Sequence, residues 1–103
     1  MTGAKKPDRY YVVLLTTTYK SLAEAKADAP ELIATHIARS KELHARGTLV
    51  MAGAFLDHPE EPLSTMAVLT SREACEDFLK GDPFVKNRRV AGWTIRVWAN
   101  IFA

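Results

Sequence analysis

Apolar residues fall along this chain in runs of two kinds, which predict strands and helices in alternation. Residues 10–17 are aromatic, β-branched or aliphatic at nearly every position, and this pattern favours a strand buried on both faces. Residues 48–55 and 63–70 have a similar character and are separated by a turn containing two prolines, so we predict that they form a hairpin. A fourth strand is predicted over residues 93–102.

Two other segments have helical periodicity. Residues 31–46 place apolar side chains at helical spacing and end at Gly47, a residue suited to the position just after a helix. A second helix follows Ser71, which is a good N-cap, and ends at Gly81. Residues 21–30 are small and charged, and we expect a loop with a short helical turn there.

The resulting order is β-α-β-β-α-β, the ferredoxin-like arrangement of an α+β domain. Two helices cover one face of a four-stranded antiparallel sheet, and strands that expose the other face to water should alternate apolar and polar residues. The first strand instead has Tyr11, Val13 and Leu15 on one face and Tyr10, Val12 and Leu14 on the other. The second is divided into Leu49, Met51 and Phe55 against Val50, Ala52 and Ala54. An apolar second face predicts a homodimer, or a higher homo-oligomer, in which two sheets pack together.

Composition and charge restrict the classes of function. The 103 residues suffice for one domain, which we assign to residues 1–103 with an ordered core over 9–102. A net charge of +2, spread along the chain, predicts binding neither to nucleic acid nor to an anionic membrane. The single cysteine, Cys75, excludes an internal disulfide framework. The apolar run at residues 10–15 is short for an exported leader or a membrane span, so a soluble, cytoplasmic protein is expected.

A histidine interrupts the apolar arc of the long predicted helix. At about 100° per residue, the arc consists of Leu32, Ile33, Ile37 and Leu43. His36 and Ser40 fall inside it. A histidine facing the sheet needs a hydrogen-bond partner, so His36 is either a structural residue bonded to a backbone carbonyl or a general acid/base. The second role suits imidazole because it titrates near neutral pH.

Asp82 has two possible roles. An aspartate before Pro83 is a common N-cap, and this structural role alone would explain it. Alternatively, its carboxylate holds one ring nitrogen of His36 and thereby sets the tautomer of the imidazole. Spacing along the chain does not decide between these roles.

The predicted last strand offers a candidate binding face. Its residues divide into Trp93, Ile95, Val97, Ala99 and Ile101 on one side and Thr94, Arg96, Trp98 and Asn100 on the other. A guanidinium beside an indole suits an anionic or aromatic small molecule. Arg96, Trp98 and Ser40 are therefore our candidates for substrate binding. Arg96 has an alternative role, an ion pair with a carboxylate at the dimer seam.

The remaining histidines have structural explanations. His44 lies near the helix end, where the helix dipole favours it, and His58 lies in the proline-containing turn. The three histidines lack the spacing of metal ligands, so no metal site is predicted. No glycine-rich phosphate loop is present, and we predict no cofactor.

Taken together, these segments resemble the YCII-related family. The resemblance rests on residues 10–15, 43–47, 51–55, 71–74, 81–85 and 95–98 and on the helix containing His36, and it extends over residues 10–102. Its most specific part is the Asp82-Pro83-Phe84 turn combined with the helix histidine. The resemblance implies a ferredoxin-like fold that forms a dimeric α/β barrel. It also implies a His–Asp pair in a cleft between sheet and helix, carried here by His36 and Asp82.

The family and its structural relatives include enzymes that act on small ring compounds, such as a dehydrochlorinase of a chlorinated hydroxyhydroquinone and muconolactone isomerase. The resemblance therefore implies cofactor-independent proton transfer, of the lyase or isomerase type, on a small cyclic or aromatic acid. The alternative is a non-catalytic dimeric module that binds a small ligand or regulates a neighbouring enzyme. Two departures from the family are Ala54, where many members have proline, and the extended segment at residues 21–30.

Overall fold

The computed structural model describes residues 6–103, so residues 1–5 of the assigned domain lie outside the described part. The elements are β1 (Arg9–Thr17), α1 (Leu22–Asp28), α2 (Pro30–Ala45), β2 (Leu49–Ala54), β3 (Ser64–Leu69), α3 (Arg72–Gly81), α4 (Pro83–Lys86) and β4 (Val90–Ala99). The predicted β-α-β-β-α-β order is confirmed, with α1 and α4 as additional short helices. Over the described residues, none of the helices combines the length and apolar character that crossing a membrane requires.

The four strands form one antiparallel sheet in the order β2-β3-β1-β4. β1 lies between β3 and β4, which accounts for its apolar residues on both faces. Helix α3 packs on one face, and the core there consists of Val13, Leu15, Leu49, Ala67, Leu69, Cys75, Phe78 and Leu79. The predicted α+β class is confirmed. Both β1 and β2 run in the same direction with β3 between them, as in the ferredoxin-like arrangement.

The last strand differs from its predicted bounds. It spans Val90–Ala99 rather than residues 93–102. β4 pairs along the whole of β1, and its last residue lies opposite Arg9, the first residue of β1. The ladder ends there, and Asn100 turns the chain, its side-chain amide donating to the Pro7 carbonyl at 2.9 Å. The length of the partner strand, which lies far away in sequence, therefore decides where β4 ends.

A bulge in β2 changes the faces predicted for this strand. The register shifts between Leu49 and Met51. Leu49 remains in the core on the helix side, whereas Met51 lies opposite Val68 on the other side. The prediction that Leu49 and Met51 share a face is wrong, because the extra residue, Val50, inverts the alternation.

Residues 21–30 are more regular than expected. The predicted loop with a short turn is a helix of seven residues, α1, followed directly by α2. Ser21 caps α1, its hydroxyl accepting from the Glu24 N–H at 3.1 Å. Pro30 occupies the first turn of α2, where its missing N–H costs nothing. Both signals are local, and they account for the two helix starts.

The end of α1 is tethered through a buried tyrosine. Tyr19, 4% exposed, donates its hydroxyl to Asp28 Oδ2 at 2.7 Å. Arg89 Nε lies 3.5 Å from the same carboxylate oxygen. The Tyr19 ring meets Phe84 edge-on, with centroids 6.2 Å apart. Burial, together with the hydrogen bond to Asp28, raises the pKa of the Tyr19 phenol above its ordinary value of 10.0.

Arg39 joins α2 to the end of α3. Its Nη1 and Nη2 donate to the carbonyls of Phe78 and Asp77 at 2.9 and 2.8 Å. The guanidinium also lies 5.8 Å from the centroid of the Phe78 ring. A helix leaves its last carbonyls without internal partners and favours a cation at this end. Gly81 provides the space, since a β-carbon there would lie 2.5 Å from Arg39 Nη2.

We predict that Gly81→Ala has opposite effects on stability in two backgrounds. In the wild type, the new methyl group displaces the Arg39 guanidinium and lowers the free energy of unfolding by about 1 kcal/mol. In Arg39→Ala, the same change raises it by about 0.5–1 kcal/mol, because alanine is the better helix former. Urea denaturation of the wild type, both single variants and the double variant measures this coupling. Equal effects in both backgrounds would show that the contact does not hold α2 to α3.

Alkaline pH is predicted to weaken the fold through Cys75 and Tyr19. Burial raises the pKa of the Cys75 thiol above its ordinary value of 9.0, as it raises the pKa of Tyr19 above 10.0. Each group contributes fully to the free energy of unfolding at pH values below the pKa that it has in the unfolded chain. This contribution is lost as pH rises through the higher pKa that the group has in the folded protein. Tm should therefore fall from about pH 9 upward. Tyr19→Phe should have a lower Tm at pH 8 but a shallower decline above pH 10, and parallel declines would contradict this assignment.

Candidate functional site

A cleft separates part of helix α2 from the sheet. No residue of α2 is buried, and Ile37 is 46% exposed although it belongs to the predicted apolar arc. The sheet residues that face α2 across the cleft include Ala52, Ala54 and Ala67. Because these side chains are short, they do not fill the space beneath the helix. The resulting cleft has a volume of about 520 Å³, which is within the range of small-molecule sites.

The cleft is mostly apolar, with a few polar groups on the α2 side. Its apolar lining includes Leu15, Ile33, Ile37, Leu49, Phe78 and Phe84. The polar side chains that α2 contributes are His36, Ser40, Lys41 and His44. Leu22 and Ala25 of α1 also line it. An apolar space with a small number of polar groups on one wall is the usual composition of a small-molecule site.

His36 and Asp82, 46 positions apart, meet in the wall of this cleft. His36 Nδ1 lies 2.7 Å from Asp82 Oδ1. Asp82 is 3% exposed, and its Oδ2 accepts from the N–H groups of Phe84 and Val85 at 3.0 and 3.2 Å. Asp82 therefore has both of the contacts considered from the sequence: it caps α4 and it holds the imidazole of His36.

These contacts set the tautomer and orientation of His36. An ionised carboxylate only accepts hydrogen bonds, so Nδ1 carries the proton and Nε2 has the free lone pair. The rings of Phe78 and Phe84 approach the imidazole edge-on, with centroids 6.4 and 5.7 Å away. The side chain remains 34% exposed. A ring held in this way can accept or return a proton at Nε2.

The sheet separates Ser40 from the other two predicted binding residues, Arg96 and Trp98. Ser40 lines the same cleft as His36, about one helical turn later. Arg96 lies opposite Val12 on the sheet face turned away from α2, and Trp98 shares that face. The structure therefore does not bring Arg96 and Trp98 to His36, because side chains alternate between the two faces along a strand.

Sequence reasoning missed two residues of the cleft, Lys41 and His44. His44 Nδ1 lies 2.9 Å from the carbonyl oxygen of Leu49, and it must donate because a carbonyl only accepts. A signal was present in the spacing, since positions four apart on a helix share a face, and His44 follows His36 and Ser40 at that spacing. The helix dipole also accounts for a histidine near the end of a helix, so the spacing alone did not identify His44 as a residue of the cleft.

A separate cluster lies on the turn after β2. His58, Glu60 and Glu61 bring possible metal-ligand atoms within 4.8 Å of one another. All three residues are exposed, and His58 already lies close to the carboxylates of Asp57 and Glu60. Exposed groups of this kind commonly pair with one another in water, and we assign the cluster no metal.

Solved structures of other proteins share this fold. One is the 5-chloro-2-hydroxyhydroquinone dehydrochlorinase of Burkholderia phenoliruptrix in complex with 2,5-dihydroxybenzoquinone, with 15% identity and a TM-score of 0.65 over 88% of this chain and 94% of that one. A cofactor-independent oxygenase from Streptomyces nogalater has 16% identity and a TM-score of 0.51 over 94% and 97% of the two chains. A conserved protein from Methanosarcina mazei has 13% identity and a TM-score of 0.55 over 90% and 94%. At these identities the likeness shows the fold.

At the level of sequence, no curated protein matches the chain. The YCII-related domain family matches residues 10–99, a range that contains both His36 and Asp82 and all but the first residue of the four-stranded sheet. Because the match extends over most of the chain, the protein belongs to the YCII-related domain family.

Proposed function

We propose that the protein is a cofactor-independent enzyme that transfers protons on a small cyclic or aromatic acid, in a reaction of the lyase, isomerase or dehydrochlorinase type. The observation that carries this proposal is the imidazole of His36, held at Nδ1 by a buried carboxylate in the wall of an apolar cleft. His36 is the base that accepts the substrate proton at Nε2. Asp82 is a positioning residue that keeps the ring oriented and stabilises its charged form.

The chemistry requires a substrate carbon acid whose negative charge is delocalised onto oxygen. His36 removes a proton from the ring carbon. The electron pair of the C–H bond is delocalised onto oxygen, so that the substrate becomes an enolate or phenolate. In an isomerisation, the imidazolium returns the proton to a different carbon. In an elimination, the electron pair expels a leaving group such as chloride, and the imidazolium releases its proton to solvent. The apolar walls strengthen the attraction between imidazolium and oxyanion, because they exclude water.

Two further observations support a ring compound as substrate. The dehydrochlorinase that shares the fold is named for a chlorinated hydroxyhydroquinone, and its structure holds a dihydroxylated quinone. The cleft of about 520 Å³ is large enough for such a ring. In this proposal Ser40, beside His36 on α2, donates a hydrogen bond to a substrate oxygen.

The catalytic pair is tested by two substitutions that preserve local contacts. Asp82→Asn keeps the N-cap, because asparagine caps about as well as aspartate, so the free energy of unfolding should change by less than ~1 kcal/mol. Its amide would donate to His36 Nδ1 and move the proton to Nε2, which no longer accepts. His36→Asn keeps a donor near the Nδ1 position and removes Nε2. Both should lower kcat/KM by roughly 10²-fold or more.

The assay follows chloride release from 5-chloro-2-hydroxyhydroquinone and deuterium uptake from D₂O by muconolactone and related ring acids. Nitrogen NMR of His36 records the tautomer in the wild type and in Asp82→Asn. Full activity in Asp82→Asn with the tautomer switched, or in His36→Asn, would rule out this pair as the catalytic unit. Ligand binding without turnover across the panel would favour the non-catalytic binding module instead.

The sheet face turned away from the helices is proposed to pair with a second copy of the chain. Met51, Val68, Val12 and Arg96 form a row across this face, and Trp98 lies beside it. Met51 is 63% exposed and Trp98 52%. A broad apolar face is rarely left to water, and a two-fold axis is the commonest way for identical chains to cover it. In this proposal Arg96 and Trp98 belong to the interface.

Sedimentation at micromolar concentration should give about twice the chain mass, as expected for a large apolar interface. Adding Met51→Lys and Trp98→Lys together should produce a folded monomer, because two charges on the seam are costly to bury. Leu56→Lys, at an exposed apolar position on the turn after β2, is the matched control and should remain dimeric. A wild-type monomer at this concentration would contradict the interface.

A further inference from the structure

The polar groups on the α2 side of the cleft form a row that extends beyond His36. His36, Ser40 and His44 are spaced four residues apart, and all three line the cleft. At 1.5 Å per residue, each step is about 6 Å and the row is about 12 Å long. That length corresponds to two six-membered rings rather than one. The proton transfer proposed for His36 occupies only one end of it.

The other end of the row is held by its own contact. His44 bonds across the cleft edge to the Leu49 carbonyl on β2, and not to the final carbonyls of its own helix. Its Nδ1 therefore carries a proton, and within residues 6–103 no hydrogen bond is formed at Nε2. The bulge at Val50 lies next to this contact, and bulges are frequent beside functional sites because they re-aim side chains. Interaction with the helix dipole alone does not explain a ring held in this way.

Lys41 supplies a cation at the same end. It lines the cleft, and it forms no ion pair among the described residues. The residues three and four positions away on α2 are Ala38, Ile37, His44 and Ala45, so no carboxylate lies within helical reach. The carboxylate of Asp82 is buried and fully engaged by His36 and the start of α4. The charge available to a ligand is therefore that of Lys41.

We propose that Lys41 and His44 form an anion-recognition subsite, so that the substrate carries its carboxylate or phenolate about two helical turns from the carbon that His36 deprotonates. This inference rests on the proposed function, which assigns the reacting end of the cleft to His36. The Lys41–His44 subsite takes the place of Arg96 as the group that binds the acid. The ammonium of Lys41 attracts the anion, and the protonated ring of His44 can donate to it at Nε2 while Nδ1 stays on the Leu49 carbonyl. The substrate class is then a two-ring acid, or one ring with an anionic side chain of similar length.

The subsite is tested by binding alone, with biphenyl-4-carboxylate as the probe and 4-hydroxymethylbiphenyl as its uncharged counterpart. Calorimetry or NMR titration of the wild type should show tighter binding of the carboxylate than of the alcohol. Lys41→Met should raise the Kd of the carboxylate roughly tenfold, as expected for loss of one charge-assisted contact, and leave that of the alcohol unchanged. Lys80→Met, at an exposed position outside the cleft, is the matched control and should change neither Kd.

Two variants test the roles of the two ring nitrogens of His44 separately. His44→Asn keeps a donor near Nδ1 for the Leu49 carbonyl but removes Nε2, so it should weaken the carboxylate probe severalfold without lowering Tm. His44→Gln places an amide near the Nε2 position and loses the contact with the Leu49 carbonyl. It should therefore bind the carboxylate probe more tightly than His44→Asn does, and its Tm should be lower than that of the wild type. If His44 is only a structural link, His44→Asn binds the carboxylate probe with the affinity of the wild type, and the only change in the pair is the lower Tm of His44→Gln.

The subsite and the catalytic proposal fail in different experiments. Equal affinity for the acid and the alcohol, no binding of the acid, or an unchanged Kd in Lys41→Met would overturn the subsite even if His36→Asn abolishes turnover. Weakened probe binding in Lys41→Met would support the subsite even if no turnover is found. In that case the cleft is an acid-binding site and the proton-transfer proposal is the one that fails.

Discussion

The buried carboxylate of Asp82 is the contact on which the arrangement of this site depends. A charge that is 3% exposed is costly unless its oxygens are satisfied. Two N–H groups at the start of α4 satisfy one oxygen, and the His36 imidazole satisfies the other. The residue also follows the last turn of α3 as its C-cap. Three helices are thus positioned around one carboxylate, and the orientation of His36 follows from the requirement that this buried carboxylate be hydrogen-bonded.

Helix α2 is held both by apolar packing, through Leu32, Ile33 and Leu43, and by polar contacts to the neighbouring elements. Arg39 bonds to the end of α3, His36 to Asp82, and His44 to β2. Between these contacts, Ile37 of α2 and the short side chains of Ala52, Ala54 and Ala67 line the cleft. Of the apolar arc of α2, Ile33 and Ile37 line the cleft, whereas Leu32 and Leu43 do not.

The two faces of the sheet have different chemical character. The face toward α2 presents small apolar residues to a row of imidazole, hydroxyl and ammonium groups, which suits a flat acid with one apolar side. The opposite face presents large apolar groups with Arg96 among them. This division explains why a guanidinium that looks suited to an acidic substrate in the sequence lies on the opposite side of the sheet from the proposed base. On the side of α2, the cation that lines the cleft is Lys41.

The sequence by itself determined the features whose causes are local. Ser71 and Asp82 predicted helix starts because a cap bonds to N–H groups two or three residues away, and Gly47 marked a helix end because its φ of +78° suits glycine. The element order followed from periodicity in the same way. The pairing of His36 with Asp82 entered only as an implication of the family resemblance, since 46 positions separate the two residues.

Only the tertiary structure decided the features that depend on a distant partner. β4 ends at Ala99 because β1 begins at the residue opposite, and Met51 changes face because the ladder with β3 admits an extra residue. His44 entered the site because β2 offered the Leu49 carbonyl, and Arg39 became a link because Gly81 left room for it. Local patterns carry no information about such contacts, since their free energy is gained only when chain segments far apart in sequence are brought together.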